Sequence, residues 1–121
     1  MELRLTIGDT VLTGSLVDNT TSHDFRALLP LTVTLRDYEE TEKVCDLPRR
    51  LSTDDASTGL NPEVGDITYY APWGNLAIFY RDFDYASGLV KLGHIDSGIR
   101  LFENATEEFT VTIDLVDEPT S

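Results

Sequence analysis

Residues 65–80 read Gly65-Asp66-Ile67-Thr68-Tyr69-Tyr70-Ala71-Pro72-Trp73-Gly74-Asn75-Leu76-Ala77-Ile78-Phe79-Tyr80. Two runs rich in β-branched and aromatic residues flank the turn Pro72-Trp73-Gly74-Asn75. Strand formers lie on both sides, with proline and glycine where the chain must reverse, as in an antiparallel pair. The expected strands are 66–71 and 76–80.

On the N-terminal side the alternation of period two continues. Leu3, Leu5 and Ile7 alternate with Arg4 and Thr6, and Gly8-Asp9 supplies a two-residue hairpin turn into a strand over 11–17. Gly14 inside that strand points to a bulge or a close backbone approach. Leu31, Val33 and Leu35 alternate with Thr32, Thr34 and Arg36, and a polar turn at 39–42 leads to a return strand over 43–47. On the C-terminal side, strands are expected over 89–95 and 109–115, with one helical turn at 99–102. The one clear helix is expected over about 20–29. Asp18 to Ser22 offers capping residues, Phe25, Leu28 and Leu29 share a face, and Pro30 ends it. Residues 51–65 and 81–87 show no periodicity and read as loops.

The count is about eight strands and one short helix. That much strand in so short a chain favours a small closed antiparallel barrel, because closure removes the sheet edges that invite aggregation. Residues 1–116 are expected to form a single domain and 117–121 a disordered tail.

Composition narrows the function. The 121 residues carry 9 Lys and Arg against 22 Asp and Glu, a formal net charge of −13. Such a chain is repelled by phosphate backbones and anionic lipid, so neither nucleic acid nor a membrane is an expected partner. No apolar run reaches the roughly 20 residues of a spanning helix, and the first residues carry no export signal, so the cytoplasm is the expected location. The single cysteine, Cys45, permits no internal disulfide. His23 and His94 are far apart, so no metal-ligand spacing is visible and no metal or cofactor is expected. No Gly-rich phosphate loop and no Gly-x-Ser-x-Gly elbow occurs. Acid pairs such as Asp54-Asp55 and Asp82-Asp84 are too common here to mark a site.

An aromatic cluster remains: Tyr69, Tyr70, Trp73, Phe79, Tyr80, Phe83 and Tyr85. Tyr and Trp combine flat apolar area with a polar tip, which suits a ligand or an extended peptide. Trp73 sits on a tight turn whose own hairpin offers little to bury it. Arg49-Arg50 is the only adjacent basic pair and is a candidate for binding a carboxylate or phosphate, or for pairing with Asp54 or Asp55.

The order of these elements resembles the cyclophilins. Residues 20–29 resemble the helix after their first hairpin, and 65–80 their central strand pair. Leu89-Val90-Lys91-Leu92-Gly93-His94-Ile95 resembles a later strand, and 109–116 the closing one. The Gly-Asp-Ile, Ala-Pro, Gly-Asn and Ile-Phe elements within 65–80 are similar to those of the small bacterial cyclophilin-like proteins, which share the barrel and have no settled role. The resemblance implies a mostly β fold, a closed eight-stranded antiparallel barrel with one short capping helix. It also implies a site. Cyclophilins isomerise prolyl bonds with an Arg from the strand after the helix, an apolar pocket for the ring, a Gln and an Asn on the substrate backbone, and a Trp and His at the rim. Here Arg36 is the only candidate Arg, and Phe79 matches the pocket Phe. Ala77 stands where the family has Gln, and Leu89 where it has the rim His. His94 falls five positions later, and Trp73 lies in a different loop from the family's Trp. Most of the catalytic set is absent.

The expectation is therefore a binding domain without efficient isomerase activity, holding a small molecule or extended peptide. Its groove would be formed by Arg36, Arg49, Arg50, Tyr69, Trp73, Phe79, Phe83 and Tyr85. The alternatives are a weak prolyl isomerase with Arg36 as donor, and a domain that pairs with itself, as a homodimer, or with another protein.

Overall fold

Alternation along each strand becomes an inside and an outside. In the computed structural model, which describes residues 1–54, 56 and 58–116, Leu3 and Leu5 are fully buried while Glu2 and Arg4 face out. The expected disordered tail at 117–121, and Asp55 as a partner for the arginines, lie outside the described residues.

Among the described residues, ten strands and two helices follow in chain order. They are β1 (Glu2–Ile7), β2 (Thr10–Leu16), α1 (Thr20–Arg26), β3 (Leu31–Tyr38), β4 (Glu42–Asp46), β5 (Gly59–Leu60), β6 (Asp66–Tyr70), β7 (Asn75–Phe79), β8 (Ala86–Ser87), β9 (Leu89–Ile95), α2 (Arg100–Asn104) and β10 (Phe109–Leu115). Eight of the strands close an antiparallel barrel in the order β1-β10-β3-β4-β7-β6-β9-β2. Leu3, Leu5, Leu35, Ile67, Tyr69, Leu76, Ile78, Leu92, Val111 and Ile113 belong to its core. Each helix adds one fully buried ring to that core, Phe25 from α1 and Phe102 from α2. Each ring contributes about 1.5–3 kcal/mol by leaving water.

Two loops of the sequence reading are partly strand. β5 and β8 lie in the segments expected to be irregular and pair only with each other, Gly59 with Ser87 and Leu60 with Ala86. Two residues carry no period, which is why the pattern missed them. The helix also ends earlier than expected, at Arg26. The N–H groups of Leu28 and Leu29 turn to the carbonyls of Phe25 and Arg26, tightening the chain ahead of Pro30. Its start is as the capping residues dictate. The Asn19 side chain accepts from the Ser22 N–H at 2.7 Å, and the Ser22 hydroxyl accepts from the Asn19 N–H at 3.1 Å. The Asn19 amide also donates to the Lys91 carbonyl at 2.9 Å, which ties α1 to β9.

Between β6 and β9 the register shifts after Ile67: Ile67 pairs with Gly93, but Thr68 pairs with Lys91. The extra residue changes the parity of β9, so Val90, Leu92 and then Ile95 face the core. Across the β2–β9 seam the backbones approach closely. A Cβ on Gly93 would lie 2.1 Å from the Ser15 carbonyl oxygen, and one on Gly14 would lie 2.5 Å from that of His94. Gly14 thus marks a close approach. Gly93→Ala forces backbone apart at the last pairing that closes the barrel, and should cost about 1–3 kcal/mol or more. Urea unfolding measures it. A midpoint equal to wild type would show that the seam is not tight.

Candidate functional site

Cross-strand neighbours share a face of a sheet, so the pairings fix what lies on the outside of the barrel. Glu42 faces Phe79, Val44 faces Ala77, and Tyr70 faces both Asn75 and Leu89. An outer wall would ordinarily be wet. Here Val44, Ala77, Phe79 and Leu89 are all under 5% exposed and form a small cluster separate from the core, with Leu60, Tyr70 and Ala86 packed against it. Leu60 and Ala86 come from the β5–β8 ribbon, which folds back over the wall. The fit leaves a cavity of about 250 Å³ lined by Tyr38, Glu42, Val44, Tyr70, Trp73, Asn75, Ala77, Phe79, Phe83, Ala86 and Leu89.

The β6–β7 turn positions the mouth. The N–H groups of Trp73 and Gly74 both donate to the Tyr70 carbonyl, and Gly74 takes a positive φ of 66°. That leaves Trp73 57% exposed, edge to face with Tyr38 at 5.7 Å and with Tyr70 at 5.2 Å between ring centroids. Phe83 lies 6.4 Å from Phe79.

Electrostatics separate the two faces of β4. Lys43 points inward and is 2% exposed. Its ammonium donates to the Ala105 carbonyl at 2.8 Å, lies 3.3 Å from Asp37, and sits over the Tyr80 and Phe109 rings. Burial works to raise the Asp37 carboxyl, but hydrogen bonds from the Tyr80 hydroxyl, Lys43 and the Glu40 N–H outweigh it and hold the group below its ordinary value. Glu42 points outward into the cavity and forms no ion pair among the described residues. Burial, and then the charge of Asp37, push it up to about 7. Asn75 lines the other end of the floor, and its buried amide oxygen has no hydrogen-bond partner among the described residues.

Of the expected groove residues, Trp73, Phe79 and Phe83 come together on the cavity. Tyr69 does not. It is 1% exposed in the barrel core, with its hydroxyl accepting from the Leu51 N–H at 3.1 Å. Adjacent strand residues face opposite ways, and Tyr70 is the outward one. Tyr85 is held away from the cavity lining by a hydrogen bond of 2.8 Å between its hydroxyl and that of Thr58. Arg49 is spent on the Asp24 carboxylate at 2.9 and 3.0 Å, and Arg50 donates to the Ala71 carbonyl at 2.8 Å. Arg36 is exposed opposite Val44 and is not among the lining residues.

Sequence reasoning missed Tyr38, Glu42 and Asn75 as site residues, and placed Tyr70 in the aromatic cluster but not in the groove. Glu42 was expected in a polar turn but begins β4. Ala77 and Leu89, set by resemblance at the positions of the family's Gln and rim His, do line the cavity. Burial pushes the Cys45 thiol up to about 12, with the Arg36 charge opposing, so it stays protonated and inert. Among the described residues no group of three potential ligands is placed to hold a metal, and no helix is long and apolar enough to cross a membrane.

The raised Glu42 makes a stability prediction. Its ordinary value is 4.5 and its folded value about 7, so folding takes up a proton between those limits. Stability should therefore fall as pH rises from about 4.5 to about 7, by roughly 3 kcal/mol in all, and then level off. Glu42→Gln should match wild type at pH 4.5 and exceed it at pH 8. Denaturant unfolding at the two pH values reads the difference, and equal stability at pH 8 would show that Glu42 titrates in the ordinary range.

Comparison with known proteins agrees with the barrel. The chain matches the profile of the cyclophilin-like family over residues 5–114. Its structure is similar to the solution structure of the hypothetical protein AF2241 from Archaeoglobus fulgidus, with a TM-score of 0.65 over 96% of this chain and 95% of that one. Sequence identity there is 17%, so the likeness is one of fold. No curated protein is matched. With the family profile running from within β1 to within β10, this chain belongs to the cyclophilin-like family.

Proposed function

We propose that the domain is a binding module that takes a small molecule, or one side chain of an extended peptide, into the cavity on its outer wall. The observation that carries this is the buried apolar floor of Val44, Ala77, Phe79 and Leu89 beneath exposed Trp73 and Phe83. A volume of about 250 Å³ suits one compact group rather than a large cofactor. Small-molecule pockets usually begin near about 300 Å³. Exposed Trp73 and Phe83 are 57% and 52% accessible, which leaves their ring faces for a partner to cover.

Prolyl isomerisation is the weaker reading on the same geometry. Rotation about the peptide bond meets a barrier of about 18–20 kcal/mol, and a cation at the amide nitrogen lowers it. The cavity lining includes no Lys, Arg or His, and its one ionisable carboxyl is acidic.

The test uses Trp73, the only tryptophan. Butan-1-ol and an extended X-Pro peptide are titrated against its fluorescence. At least one should perturb it saturably, and Ala77→Phe, which fills the cavity floor, should weaken that binding at least tenfold. If neither probe perturbs Trp73, the reading fails. In a protease-coupled assay on the same peptide the protein should not exceed the uncatalysed rate by more than about twofold. A large acceleration abolished by Arg36→Ala would establish the isomerase instead. Self-pairing through the exposed rings would show itself as concentration-dependent sedimentation.

A further inference from the structure

Resting on the cavity reading, we propose that its preferred occupant carries a primary alkylammonium group, seated at Glu42 among the aromatic rings with its carbon stem along Ala77.

Charge complementarity argues for this class. Among the described residues Glu42 forms no ion pair, and Arg36, on the same outer face opposite Val44, is exposed and lies outside the cavity lining. The adjacent cation is committed on the far side, where Lys43 is held by Asp37 and the Ala105 carbonyl. The cross-strand neighbour of Glu42 is Phe79, and Tyr38 and Phe83 complete the surroundings of that end. A carboxylate ringed by π-faces is a poor host for an anion and a good one for an ammonium, which gains the ion pair and the ring quadrupoles together. A chain of net charge −13 adds a long-range attraction for cations.

Hydrogen bonding selects among cations. Glu42 accepts when ionised, and the Asn75 amide oxygen is buried without a donor among the described residues. Both ask for N–H groups, which a quaternary ammonium lacks. Asn75 and Phe79 stand four residues apart on β7, about 13 Å along an extended strand. The ammonium therefore sits at one end of the floor, and a donor further along the ligand, such as the backbone N–H of a bound lysine residue, meets Asn75 at the other. Between them the floor is Val44 and Ala77, apolar and shallow, which fits a methylene stem.

Protonation of Glu42 should oppose binding. Two charged groups of β3 lie near it: Asp37, which raises it, with Lys43 and Tyr80 facing Asp37 from the interior, and Arg36, outward opposite Val44 and exposed to solvent. His23 pairs with Asp18 and His94 with Asp66, and neither lines the cavity. Ammonium binding should thus strengthen as pH rises through about 7.

The experiment compares n-butylammonium with butan-1-ol, its uncharged analogue, by Trp73 fluorescence at pH 8 and pH 5.5. N-acetyl-lysine methylamide serves as a second ammonium, and relative affinities tell a free amine from a lysine side chain. At pH 8 either ammonium should bind at least tenfold more tightly than the alcohol. At pH 5.5 that preference should shrink by about thirtyfold or vanish, as a carboxyl titrating near 7 demands. Glu42→Gln should abolish the preference, so that ammonium and alcohol bind alike at pH 8. Thermal unfolding checks that the variant folds, and the pH series on the wild-type protein tests the inference without it. If butanol binds as tightly as both ammonium ions at pH 8, the ammonium assignment is overturned while the cavity reading stands. If no probe perturbs Trp73, both fall.

Discussion

β7 is buried on both faces, and much of the molecule follows from that. Antiparallel strands usually keep one face for water. All five residues from Asn75 to Phe79 are buried. Leu76 and Ile78 fill the barrel, while Ala77 and Phe79 need a second cover on the outside. Nothing in the barrel itself can supply one, since closure uses only the inner faces. The chain supplies it from connections: the β5–β8 ribbon brings Leu60 and Ala86, and the segments beside it bring Trp73 and Phe83. Loops cover a surface less tightly than interdigitated strands do. A cavity is the consequence of roofing a flat apolar wall with two short strands and a turn.

The same wall divides charge. Lys43 and Glu42 are neighbours in sequence and opposite in direction. Lys43 enters the barrel, where burying an ammonium without partners would be prohibitive, and it is met by Asp37, a carbonyl and two rings. Glu42 goes outward into a partly dry pocket and forms no ion pair among the described residues. One titratable pair is thus closed and the other left open. The closed one holds β3, β4 and the segment after α2 together. The open one costs stability in the ionised form, and a cost of that kind is tolerable where a bound partner relieves it.

How far the sequence shows this depends on how local each feature is. Period-two runs such as Leu3-Arg4-Leu5 and Val111-Thr112-Ile113 reveal their strands because the side chain period is a property of the backbone alone. The Asn19–Ser22 cap and the Gly8-Asp9 hairpin are legible for the same reason. The site is less so. Choosing Tyr70 rather than Tyr69 requires the register of β6 against β7, which no single run contains. Glu42 differs from the other acids only in where Phe79 and Asp37 come to lie. In sequence the near candidates to pair with Arg49 and Arg50 are Asp54 and Asp55, and only the fold brings Asp24 and the Ala71 carbonyl to them. Trp73 was legible because proline and glycine set it on a turn too tight to bury it.

Two separate apolar clusters also explain why the fold carries so little functional information. The barrel core contains Leu3, Ile67, Ile78 and Ile113, and the outer cluster contains Val44, Ala77, Phe79 and Leu89. Packing demands on the first are met by any residues of the right volume and parity, which permits a shared barrel at 17% identity. The second cluster can change its chemistry without disturbing the first, because the strands put the two sets on opposite faces. Ala77 and Leu89 on the cavity floor belong to this second set, and neither contributes to the barrel core. An acidic, aromatic pocket on this wall is therefore a property of the outer residues of this chain, to be argued from Glu42, Asn75 and the rings rather than from the barrel beneath them.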